Sequence, residues 1–169
     1  MTGGHPNVLH SAASIASALD DLFRARRASA LALLRILDEE REALGNGDLA
    51  AMDTTAAEKI AALADLEQSK AEEAQLLAGL PFAGSDTPLE QALIWCDETG
   101  TLRAACDEVV QLMVDCDRNN RRNGLMVQQR LNYVRRAIDI LHKAHADTLV
   151  YGPDGLARNA GHSRLLAEG

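Results

Sequence analysis

Asp139 and His142 stand three residues apart in a stretch with helical patterning, and His145 follows one turn on. On a helix that spacing offers two ligands from one face, as in the carboxylate and histidine pairs of di-metal bundles. A second such pair is missing, because Glu39, Glu40, Glu72 and Glu73 supply acids without a matching histidine, and position 139 falls off the apolar seam. Solvated side chains on a long helix are the expectation, and no metal ligand is assigned. Cys96, Cys106 and Cys116 are spaced ten apart with no CxxC and no histidine placed to activate a thiolate. They read as small hydrophobes of a reducing compartment. No glycine-rich loop follows a strand, so no nucleotide site is indicated. The chain is expected to carry no catalytic residue, no cofactor and no metal, and not to be an enzyme.

Asparagines give a stronger signal. Taken in steps of four and three, Leu102, Cys106, Val109, Met113, Cys116, Asn120, Asn123 and Val127 form one seam, which continues after an extra four-residue step as Leu131, Val134, Ile138, Leu141 and His145. This is a heptad pattern with a stutter. The seam is apolar almost throughout, so Asn120 and Asn123 stand where packing is expected, and a buried amide without partners costs about 1–3 kcal/mol. Gly124 follows directly and weakens the helix further. Two readings fit: register, in which seam asparagines fix which helix pairs with which, and a polar notch for a partner.

The elements that must position these residues are long helices. Among 169 residues only Phe23, Phe82, Trp95, Tyr133 and Tyr151 are aromatic, and alanine and leucine supply most of the apolar surface. Small side chains permit close helix approach but bury little area each, so stability must come from length of contact. The net charge of −8 is unequally placed: residues 1–117 hold 8 Lys/Arg against 21 Asp/Glu, net −13, and residues 118–169 hold 9 against 4, net +5. An acidic body with a basic final third argues against nucleic-acid binding and assigns the C-terminal region its own interaction role. No run approaches the roughly 20 apolar residues of a membrane span, and the N-terminus lacks a signal-peptide pattern. The expected location is cytoplasmic, without membrane insertion.

The pattern predicts a first helix over about 9–44, stopped by Gly45-Asn46-Gly47, and a second over 48–78 capped by Asp48, with Leu49, Met52, Ala56, Ile60, Leu63, Leu66 and Leu77 as its stripe. So short a turn makes an antiparallel hairpin. Glu58-Lys59 suggests an ion pair at the seam's edge, and Phe82 in the loop after Gly79 should plug the hairpin's open end. Thr87-Pro88-Leu89-Glu90 reads as a capping box opening a short third helix, 88–98. Thr99-Gly100-Thr101 should separate or kink it from a fourth, 101–147. The fold class is therefore all-α: an antiparallel bundle of about four helices, coiled-coil-like in the first, second and last, forming a single domain over 1–150. Whether the third helix or a second copy closes the bundle stays open, so a homodimer is kept among the partners. Residues 151–169 read as a disordered tail beginning with a turn at Gly152-Pro153-Asp154-Gly155.

Two of these segments together carry a family resemblance. Asn120-Arg121-Arg122-Asn123-Gly124, followed after a helix by Tyr151-Gly152-Pro153-Asp154-Gly155, matches N-x-x-N-G and Y-G-x-D-G, and in this the chain resembles the FlgN family of flagellar export chaperones. The resemblance implies a non-enzymatic, ATP-independent chaperone that holds hook-associated proteins of the hook–filament junction by their helical ends and delivers them to the type III export gate at the membrane. On this chain it implies client contacts at Asn120, Asn123, Gly124, Leu131, Val134, Ile138 and Leu141, and gate contacts at Tyr151, Gly152, Asp154 and Gly155. The alternative is a helical scaffold without an export role, which would have no need of the tyrosine turn.

Overall fold

The computed structural model describes residues 11–148, with side chains through 143. Four helices follow in order, α1 (Ala12–Asn46), α2 (Leu49–Ala78), α3 (Pro88–Cys96) and α4 (Thr101–Thr148), and among the described residues there is no strand. The fold is the expected all-α bundle, and the segment read as a disordered tail lies outside the described residues. The chain divides after Leu125 into a first unit holding α1 to α3 and the start of α4, and a second that consists, among the described residues, of α4 from Met126 onward.

Local chemistry explains the helix ends. Ser11 accepts the Ser14 N–H at 3.2 Å to open α1. At the other end Gly47 adopts φ 73°, a left-handed conformation that glycine enters without a Cβ clash, and its N–H returns to the Ala43 carbonyl at 2.9 Å. Asp48 then accepts the Ala51 N–H at 3.1 Å and opens α2. The capping box expected at Thr87 does not form. Thr87 makes no side-chain cap, and Glu90 instead pairs with Arg103 of α4, whose Nη1 donates to it at 3.0 Å. A bidentate guanidinium partner outcompetes the neutral N–H of a capping box. Thr87→Ala should therefore change unfolding free energy by under about 0.5 kcal/mol in urea titration, where a working cap would cost about 1 kcal/mol.

α3 and α4 are separate helices, parted by a turn at Gly100 with φ 75°. Asp97 closes that turn, its Oδ2 accepting the Arg103 N–H at 2.8 Å. Partial desolvation opposes its ionisation, but the backbone N–H groups of Arg103, Leu102, Thr101 and Gly100 prevail and hold the carboxyl below its usual value.

Two apolar clusters lie along α1. The first joins Ile15, Leu19, Leu22 and Phe23 to Leu77, Leu80, Ala92, Leu93, Leu102 and Val109, with Phe82 packed against it and edge-on to Trp95 at 6.1 Å. Phe82 thus closes the hairpin end. The second joins Leu33, Ile36 and Leu37 to Ala62, Leu66 and Cys116.

α2 turns a different face inward from the expected stripe. Its buried or half-buried positions run Met52, Thr55, Lys59, Ala62, Leu66, Ser69, Glu73 and Leu77, while Leu49 is 74% exposed, Ile60 69% and Leu63 46%. Polar partners on α1 explain the choice. Arg26 donates to Ser69 Oγ at 3.1 Å, to the Ser69 carbonyl at 2.9 Å and to Glu73 at 2.6 Å, and Lys59 donates to Glu40. Turning α2 to bury its leucines would strand a guanidinium and a carboxylate that are both largely shielded, at several kcal/mol, more than burying one or two leucines returns.

Candidate partner-binding surfaces

Asn123 and Asn120 part company in the structure. Asn123 is buried, 2% exposed, and its Nδ2 donates to the Leu37 carbonyl at 2.7 Å and to Glu40 Oε2 at 2.8 Å. Glu40 in turn accepts from Lys59, so one polar knot ties α4 to α1 and α1 to α2. This is the register role. Asn120 is exposed, contrary to its expected place in the packed seam, and stands at the edge of a cavity of about 200 Å³ with Leu33, Leu37, Leu63, Met113 and Cys116.

Gly124 is exposed, and a Cβ built there would meet nothing within 4 Å. Among the described residues no neighbouring backbone comes close to this glycine. Gly124→Ala should accordingly raise unfolding free energy by about 0.5–1 kcal/mol, seen as a higher urea midpoint.

In the second unit the expected apolar row is present and exposed among the described residues. Val127, Leu131, Val134, Ile138 and Leu141 are all exposed, each four or three residues from the last, as are Tyr133 and Ile140 beside them. Exposed apolar side chains in so regular a row mark an interaction surface. Arg130, Arg135, Arg136 and Lys143 flank the row, against the single acid Asp139 over residues 126–143. Asp139 and His142 point to solvent, and among the described residues no group of three or more histidines, cysteines or acids could hold a metal ion. Tyr151, Gly152, Asp154 and Gly155 lie outside the described residues.

Nucleophilic chemistry finds no support in the cysteines. Burial raises the thiols of Cys96, Cys106 and Cys116 above their ordinary values, and Cys116 Sγ donates to the Ala30 carbonyl at 3.4 Å. No helix of the described residues is long and apolar enough to cross a membrane.

A surface missed by the sequence reading lies in the first unit, where α2 and α4 border a groove. Its lining includes Leu66, Val109, Val110, Met113 and Val114, and it adjoins the cavity at Asn120 through Met113. The polar pairs of α1 with α2 were the missed signal: once Arg26 takes Ser69 and Glu73, the leucines at 49 and 63 and the isoleucine at 60 must face out.

No curated protein and no solved structure matches the chain. A family model does: FlgN protein, matched over residues 15–159, a span that includes most of α1, all of α2, the asparagine pair and the sequence motif at 151–155. The matched region covers most of the chain, which therefore belongs to the FlgN family and shares that family's general role as a flagellar export chaperone.

Proposed function

We propose that this chain binds the helical termini of hook-associated proteins, the clients of the hook–filament junction, and delivers them to the membrane export gate of the flagellar type III apparatus from a cytoplasmic, non-enzymatic pool. The carrying observation is the row Leu131, Val134, Ile138 and Leu141, an apolar helix face exposed among the described residues. An amphipathic client helix laid along it would bury both faces, the helix-in-groove mode read as anchors three and four residues apart. In the first unit Asn120 and Gly124 are assigned to a client as well, Asn120 as a polar contact and Gly124 as a point where a client backbone can come close. Asn123 serves by fixing the register of the helix that carries them.

Tyr151, with the turn at Gly152, Asp154 and Gly155, is assigned to the gate. A chain ending at residue 149 should still bind clients but support their secretion poorly, measured as junction proteins exported to the medium. Secretion at the full level by that truncated chain would remove the gate role of the turn.

A further inference from the structure

We infer that the groove between α2 and α4 in the first unit receives the basic ridge helix, residues 126–143, of a second copy of this chain. The groove is apolar at its floor, with Leu66 and Met113, and at its lips, where Leu63 of α2 and Val110 and Val114 of α4 are about half exposed. Ile60 stands beyond Leu63 on the same helix, more exposed still. Such a groove lacks one helix of a closed bundle.

Length and charge identify the occupant. The groove and its adjoining cavity are lined on α2 from Lys59 to Glu73, fourteen residues apart, about 21 Å at the helical rise. The ridge from Val127 to Leu141 is also fourteen residues, about 21 Å. Residues 11–125 carry 11 Lys/Arg against 21 Asp/Glu, net −10, and residues 126–143 carry 4 against 1, net +3. Within the groove's lining Glu67, Glu73 and Asp117 stand beside Lys59, Lys70 and Arg26, so the attraction for the basic ridge is that of the acid-rich unit as a whole. Exchange between two copies fills both grooves and covers both ridges with one repeated contact, the isologous arrangement that closes without forming fibres. It also covers the ridge proposed for clients, so a client would have to displace the second copy.

The test uses the full chain alone, without clients, so its outcome is independent of the client reading. Light scattering after size exclusion, with the chain loaded from about 1 to about 100 μM, should show the mass rising from one chain to two, with less association at high salt. Leu63→Glu with Val114→Glu spoils only the groove, and Val134→Asp with Ile138→Asp spoils only the ridge; each should stay at one-chain mass while keeping the wild-type helical circular dichroism. Mixed together, the two variants should pair, because one intact groove then meets one intact ridge. One-chain mass for the wild type throughout, or two-chain mass for either folded variant alone, would overturn the proposal. So would a single-chain wild type whose groove variant lost client binding, since the groove would then belong to a client helix.

Discussion

Asn123→Leu should lower unfolding free energy by about 2 kcal/mol, far more than its neighbour in the seam, although leucine is the better helix former and the more apolar side chain. The reason is the knot described above. Leucine removes the donor that Glu40 and the Leu37 carbonyl share and leaves the shielded Glu40 carboxylate to Lys59. Removing one member of a shielded polar group is costly, whereas replacing all members with packed apolar groups is often neutral or better. Asn123→Leu combined with Glu40→Leu and Lys59→Met should therefore recover most of the loss, and its non-additivity can be read from a mutant cycle. Asn120→Leu, at an exposed position, should stay within about 0.5 kcal/mol of the wild type. Urea unfolding followed at 222 nm checks the set; equal losses at 120 and 123 would contradict the register role.

The second large effect is expected on binding rather than on stability. Val134→Asp with Ile138→Asp places two carboxylates on a ridge that is already solvated in the free chain, at positions about half exposed. Unfolding free energy should move little. Affinity for a client helix should fall by about 100-fold or more, because each aspartate would have to be desolvated against an apolar partner and central anchors carry most of an interface's energy. Titration calorimetry with wild type and variant, beside their urea curves, separates the two effects. A variant that lost stability in step with affinity would show the ridge to be part of the protein's own core.

The helices and most of their ends were legible in the sequence because they rest on local chemistry. Gly47 and Asp48 do what a left-handed stop and an N-cap do wherever they occur, and Pro88 opens α3 as its fixed φ dictates. Thr87 misled because the partner that takes Glu90 away, Arg103, is thirteen residues distant, and no local pattern announces it. The inward face of α2 misled for the same reason on a larger scale. Hydrophobic counting favours a face with Leu49, Ile60 and Leu63, and the preference is reversed only by ion pairs whose other halves, Arg26 and Glu40, lie on another helix. Of the candidate site, the ridge from Leu131 to Leu141 was readable because it needs only one helix and a period. The groove between α2 and α4 was not, since it exists only once α2 has turned its polar side in.

The proposed client surface is the exposed face of α4 beyond Met126, and the proposed self-contact is the groove between α2 and α4. The account stands or falls on the first. Mixing the chain with the terminal helical segments of hook–filament junction proteins from the same cell, and reading mass by light scattering across a size-exclusion peak, tests it most directly. The account predicts a stoichiometric complex that disappears with Val134→Asp and Ile138→Asp. A folded chain that leaves every such segment unbound, or a complex indifferent to those two changes, would contradict it.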